Sequence, residues 1–236
     1  MNNTLIEQGK KNAALKAVDD NIEKDLIIGI GSGSTVVYAV NRIGELNKKS
    51  NLNIVCLPSS FQARQLIIEN DLKLGSLDQY PEVDIDFDGA DEIDQNLNLI
   101  KGGGGCLVQE KILASNSKNL IIIADFRKNS TKLGENWKKG VPIEVIPEAY
   151  FPLMKKFSKI GGKPTLRMAK AKAGPLVTDN NNFIIDVDFG IIDNPQELNN
   201  NILMLPGVVD TGLFLKMTTK AYIGQEDGNV LIMDIK

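Results

Sequence analysis

The sequence predicts an α/β protein, a Rossmann-like parallel-sheet domain with a smaller ferredoxin-like α+β domain inserted near its C-terminus. Three observations predict it. Short apolar runs such as LIIGI alternate with stretches of helical periodicity, as buried parallel strands and their crossover helices require. Glycine-rich or acidic turns follow those runs. After Gly134 the order changes to β-α-β-β-α-β.

Between Thr4 and Asp19, Leu5, Ala13, Ala14, Ala17 and Val18 stand among charges, which predicts a helix ending before DDNIEKD. LIIGI is a buried strand. GSGST then turns into a helix carried by Val36, Val40 and Ile43, with Ser32 or Ser34 available to cap it. NIVCL and SSFQARQLIIEN repeat strand and helix, and VDIDFDGADEID is a strand running into an acidic turn. LNLI, a glycine run, the helix CLVQEKILASN and the strand NLIIIA complete the alternation. The inserted unit reads VPIEVIP, EAYFPLMKKFSKI, PTLRMAK, FIIDVDF, PQELNNNILML and VVDTGLF. KAYIG and NVLIMDI have no helix between them and are expected to return to the first sheet. The expected domains are therefore 1–134 plus 215–236, and 135–214. In such sheets ligands bind beyond the carboxyl ends of the strands, where GSGST, DGADEID and ADFRKNS fall.

Composition limits the chemistry. The 236 residues include no histidine, so no Ser-His-Asp or Cys-His nucleophile and no histidine zinc site can be built within the chain. Proton transfer falls to carboxylates, Lys, Tyr or Cys. A net charge of −3 offers no electrostatic case for nucleic acid. Cys56 and Cys106 lack metal-knuckle spacing and suggest a reducing compartment. No apolar run approaches a membrane span, and MNNTLIEQGKK has no signal-peptide core, so the expected location is cytoplasmic.

Three segments carry candidate chemistry, each against a structural alternative. GIGSGST lacks the Walker lysine and the third glycine of GxGxxG, leaving amides, two serines and a threonine at a helix N-terminus. That is either a phosphate cradle or a tight glycine turn. In VDIDFDGADEID, Asp84, Asp86 and Asp88 alternate with apolar residues and Gly89 lets the chain turn, so Asp88 and Asp91 fall close together. A solvated acidic loop, a metal site without EF-hand spacing, and an acid–base carboxylate pair all remain open. KGGGGCLVQEKIL is a flexible linker or an amide-lined oxyanion site with Lys101 beside it. Leu107, Glu110 and Ala114 share one helical face, so Glu110 is either a semi-buried general base or an ordinary boundary residue. United, these parts suffice to move a proton between adjacent carbons of a phosphorylated hydroxycarbonyl compound through an enediolate, with no metal or redox cofactor required.

GIGSGST, SSFQARQLI, DGADEID, LIKGGGGC with QEKI, IADFRK, PIEVIP, VTDN and PGVVDTGLF, in this order, resemble the type A ribose-5-phosphate isomerases in their eukaryotic-like form. The resemblance spans nearly the whole chain. It implies interconversion of ribose 5-phosphate and ribulose 5-phosphate in the non-oxidative pentose phosphate pathway, with no cofactor and no metal. It implies Glu110 as the base between C2 and C1, Asp88 and Asp91 handling hydroxyl protons, including ring opening, and Gly89 and Ala90 between them contacting the substrate. Lys101 with Gly102, Gly103 and Gly104 would stabilise the enediolate, and Ser32, Gly33, Ser34 and Thr35 would hold the phosphate. Lys128 matches a substrate-contacting lysine, and Lys10, or Lys11, a phosphate-contacting one. The family also implies a homodimer or homotetramer, with a small-molecule substrate, no nucleic acid and no membrane. Two other classes compete: a sugar-phosphate sensor, for which there is no room for a helix-turn-helix before LIIGI, and a CoA transferase with Glu110 as nucleophile.

Overall fold

The structure, a computed structural model, describes residues 3–235; Met1, Asn2 and Lys236, at the outer limits of the expected main domain, lie outside the described residues. Contacts divide the chain into two compact units. Unit one holds the described residues up to Ala90, Gln109–Asn129 and the described residues from Met217; unit two holds Asp91–Val108 and Ser130–Lys216.

Unit one is built on the predicted alternation. Helix α1 (Asn3–Asn21) precedes strand β1 (Ile27–Ile30) and helix α2 (Ser34–Ser50). Then come β2 (Val55–Pro58), α3 (Phe61–Glu69), the two-residue β3 (Lys73–Leu74) and β4 (Val83–Asp88). Before the rest of this sheet the chain passes through β5 (Glu92–Ile93), β6 (Leu99–Ile100) and helix α4 (Leu107–Ser115) to β7 (Ser117–Asp125). In unit two follow β8 (Val141–Val145), α5 (Tyr150–Lys159), β9 (Lys163–Leu166), β10 (Phe183–Asp188), α6 (Pro195–Leu203), β11 (Val208–Thr211) and β12 (Leu213–Phe214). The chain closes with β13 (Thr218–Gly224) and β14 (Val230–Asp234).

The sheet of unit one has the order β14-β13-β7-β4-β1-β2-β3 and is parallel except for β14. KAYIG and NVLIMDI do return to it. Strand order reverses between β1 and β4, with Ile30 level with Phe87, so the turns after both strands open at the switch point, where such sheets bind ligands. The core below is apolar: Ile28, Ile30, Val40, Ile43, Phe87, Ile121 and Ile123 pack with Ala13, Ala14, Ala17 and Val18 of α1. The small alanines let that helix lie close on the strands.

Unit two holds the expected β-α-β-β-α-β, with sheet order β11-β8-β10-β9 and antiparallel pairing throughout, as in ferredoxin-like folds. Ile143, Val145, Leu153, Phe157, Ile185, Val187 and Ile202 form its core. Its boundary departs from expectation. LNLI, read as one of the alternating strands, supplies β6, which pairs antiparallel with β5 and β12 in a separate three-stranded sheet. Pairing across that small sheet draws Asp91–Val108, expected in 1–134, into unit two, along with Ser130–Gly134. The run VVDTGLF, read as one strand, breaks at Gly212 into β11 and β12. No helix among the described residues is long and apolar enough to cross a membrane.

Candidate active site

The phosphate-cradle segment lies in unit one. Neither Ser32 nor Ser34 caps α2, contrary to expectation: the N-cap is Gly33, at φ 112°, and it makes no side-chain cap hydrogen bond. Ser32 is turned away instead, its Oγ donating to Ser60 Oγ at 2.7 Å, while Gly33 N–H donates to Gln62 Oε1 at 2.9 Å. Ser60 in turn caps α3 by accepting from Ala63 N. The loop is thus held from behind while a 17-residue helix keeps its positive end uncapped, which is how a helix N-terminus receives an anion.

Asp88 closes the same corner. Its Oδ1 accepts from Ser32 N at 3.1 Å and Gly89 N at 2.7 Å, and the residue is fully buried. Gly31 makes the space, since a β-carbon there would stand 2.0 Å from Asp88 Oδ1. Gly29 does the same for Asp86 one pleat earlier, at 2.7 Å. The glycines of GIGSG therefore serve the carboxylates of the neighbouring strand as well as the turn, and Asp86, singled out only for its alternation, is as enclosed as Asp88. Gly89 and Ala90 follow, half-buried, and Gly89 does not adopt a left-handed φ; the turn is fastened by its amide on Asp88.

Glu110 lies in the first turn of α4 and is buried, as are Leu107 and Ala114, the face read from spacing. Leu113 of that helix packs with Val83, Val55 and Leu57 of the sheet. The helix ends at Ser115 beside the start of β7, whose Ser117 is level with Val83. Glu110, three residues before Leu113, is about 4.5 Å further along the helix from that end, at a rise of ~1.5 Å per residue.

Lysines at the rim divide clearly. Lys10 is enclosed, its side chain 13% exposed and its Nζ donating to Glu7 Oε1 at 2.7 Å, while Tyr38 OH of α2 donates to the other oxygen at 2.8 Å. Those two bonds hold the Glu7 carboxyl below its ordinary range. Lys11 is exposed. Lys128 sits half-buried in a single 3-10 turn, Phe126–Lys128, straight after β7. That turn is anchored by Asp125, which binds Arg127 Nε at 2.7 Å and Nη2 at 3.0 Å. Burial alone would push the Asp125 carboxyl up, but the Arg127 bonds outweigh it and hold it down. A carboxyl lowered in the folded state contributes its stability above the ordinary value and loses it as pH falls below. Arg127→Met is therefore expected to cost about 2 kcal/mol at neutral pH, a figure reduced for Arg127's partial exposure. Denaturant titration checks it, and the gap to the parent should narrow as pH drops through about 4.

In unit two, Lys101 is buried with its Nζ 5.4 Å above the Phe214 ring, and its backbone N–H donates to Gly212 O. The glycine run is an ordered loop, with Gly102 at φ 98° and Gly105 N–H closing a turn onto Gly102 O at 3.0 Å. Gly103 N–H donates to Asp91 Oδ2 at 2.7 Å, and Gly103 and Gly104 are exposed. The other acids of DGADEID are structural. Glu92, fully buried, accepts from Ser130 Oγ, Gly134 N, Asn136 N and Trp137 N, and Asp94 accepts from Asn96 N and Asn98 N. No local pattern marks Glu92, because its donors lie about forty residues on. Burial drives the Cys56 thiol up to about 12, which makes it inert, and among the described residues no three His, Cys, Asp or Glu side chains are grouped to hold a metal ion.

An uncapped helix end beside an enclosed carboxylate, at the switch point of a parallel sheet, defines an α/β enzyme equipped for acid–base chemistry on an anionic substrate. The profile of the family described as ribose 5-phosphate isomerase A (phosphoriboisomerase A) matches residues 55–228. Ribose-5-phosphate isomerase of Candida albicans is 54% identical over 233 residues, covering 96% of both chains, and that of Homo sapiens is 56% identical over 225 residues, covering 95% of this chain and 72% of its own. Among solved structures, ribose 5-phosphate isomerase A from Methanocaldococcus jannaschii is 38% identical with TM-score 0.91, and a D-ribose-5-phosphate isomerase in complex with phospho-erythronic acid is 39% identical with TM-score 0.93, each matching over 100% of both chains. The chain belongs to the ribose 5-phosphate isomerase A family and is an isomerase.

Proposed function

We propose that the chain interconverts D-ribose 5-phosphate and D-ribulose 5-phosphate through an enediolate, in the non-oxidative branch of the pentose phosphate pathway. The observation that carries the reading is the uncapped α2 N-terminus at Ser34, fastened to buried Asp88 through Ser32 N–H. A phosphate takes the amides at Ser34 and Thr35 with the hydroxyls there, and the helix dipole favours its charge. Glu110, enclosed at a helix start, is the base that lifts the proton from C2 and returns it at C1. Asp88 and Asp91 manage hydroxyl protons and ring opening, and Lys101 with the amides of Gly102–Gly104 meets the charge that develops on oxygen. No external oxidant or reductant is called for, since reduction of the aldehyde carbon is balanced by oxidation of the adjacent hydroxyl-bearing carbon within the same molecule. Ketose formation from ribose 5-phosphate, measured with and without EDTA, tests the reading. Full activity with EDTA supports it; loss reversed by a divalent metal overturns the metal-free mechanism.

Lys10 is the lysine assigned to the phosphate. Lys10 is the enclosed one, its Nζ held on Glu7 Oε1 beside Tyr38 of α2, while Lys11 is exposed. Lys10→Met is expected to raise KM for ribose 5-phosphate about 10-fold, the value of one charge-assisted hydrogen bond, with Lys11→Met within about twofold of the parent. The opposite ranking in steady-state kinetics moves the assignment to Lys11. A cytoplasmic homodimer or homotetramer belongs to the same proposal, and analytical ultracentrifugation reads its order.

A further inference from the structure

Unit two contains a clamp on the glycine run that none of the roles above uses. Arg167, just past β9, has its side chain 14% exposed, and its guanidinium grips Asp186 of β10 with Nε on Oδ2 at 2.8 Å and Nη2 on Oδ1. Nη1 donates to the carbonyl of Gly102 at 2.8 Å and to that of Gly103 at 3.3 Å. Both oxygens of Asp186 are thus engaged in a fork–fork pair with Nε and Nη2, which leaves Nη1 aimed at the loop in a fixed plane.

Peptide planarity converts this grip into an orientation. In a trans peptide the C=O and the following N–H point in opposite directions. With the Gly102 carbonyl drawn to Arg167, the Gly103 N–H must face away from it, and there it meets Asp91 Oδ2 at 2.7 Å. The next peptide is drawn the same way by its Gly103 carbonyl, which turns the Gly104 N–H to that same side. Gly104 is exposed, and a β-carbon there would meet nothing within 4 Å. Four consecutive glycines would otherwise sample many such orientations. We infer that Arg167, braced by Asp186, is a positioning residue that aims the amides of Gly103 and Gly104 and fixes Asp91 for the isomerisation.

The inference rests on the proposed isomerase reading, and its test separates the two. The parent rate on ribose 5-phosphate tests the activity; the ratio of variant to parent tests the clamp. Lysine keeps the charge but cannot hold a carboxylate and two carbonyls in one plane, and Asp186→Asn keeps the shape while losing the fork. Arg167→Lys and Asp186→Asn are each expected to lower kcat about 10- to 100-fold, with KM changed less than about threefold. Binding of phospho-erythronic acid, whose carboxylate imitates the enediolate charge, should weaken by a similar factor, and the double variant should be no worse than Arg167→Lys. Independently of any substrate, hydrogen exchange in a peptide covering Gly102–Gly105 should quicken at least about 10-fold in both variants. A rise in KM at constant kcat, additive losses in the double variant, or unchanged exchange overturns the inference. So does failure of both single variants to fold, which would assign the pair to stability alone.

Discussion

Glu110→Gln is expected to lower kcat on ribose 5-phosphate at least ~100-fold while leaving KM within a few-fold of the parent. The substitution keeps the size and hydrogen-bonding reach of the side chain and removes only its ability to accept and return a proton. Because Glu110 is buried within a short helix, an isosteric change leaves the fold intact, and thermal unfolding should coincide with the parent. The discriminating readout is solvent exchange: incubation in deuterated water should label the carbon-bound position in the parent and not in the variant. Undiminished activity removes Glu110 as the base. With no histidine in the chain, any pH dependence of this step comes from carboxylates, a lysine, a thiol or the substrate.

Glu92→Ala is expected to destabilise unit two by about 4 kcal/mol, through donors left buried without an acceptor at ~1–3 kcal/mol each. Both carboxylate oxygens are engaged: Oε2 takes Gly134 N, and Oε1 takes Ser130 Oγ, Asn136 N and Trp137 N. Without them the loop from Ser130 to Trp137 is held less tightly, through Ser130 N on Ile93 O, Ile192 N on Leu133 O, the buried Leu133 side chain and Trp137 Nε1 on Gly140 O. Urea unfolding measures the loss, and limited proteolysis should place the first cleavage between Ser130 and Lys138. A shift below about 1 kcal/mol would mean that solvent replaces Glu92 at that loop.

Sequence and structure agree best where the signal is local. Periodicity located the helices and the buried strands to within a few residues, because each burial pattern repeats over one or two turns or pleats. The shared face of Leu107, Glu110 and Ala114 followed from the same rule. Cap chemistry at α2 misled, since Ser32 has a better partner in Ser60, twenty-eight residues on, than in its own helix. The acids of DGADEID could not be sorted by spacing either: Asp88 meets the GIGSG turn, Asp91 the glycine run, and Glu92 and Asp94 hold backbone amides.

The sequence by itself determined the fold class, the available chemistry and the loops that could carry it, since composition and short-range pattern act without tertiary contacts. The absence of histidine and the motifs GSGST, DGAD and KGGGG belong to that level. Tertiary structure alone decided that Asp91–Val108 belongs to unit two, that Lys10 and not Lys11 is enclosed, and that Arg167 grips the glycine run from sixty-five residues away. The physical reason is common to all three. Strand pairing, burial and a guanidinium's reach depend on which distant segment arrives beside a residue, and a linear pattern carries no record of that arrival.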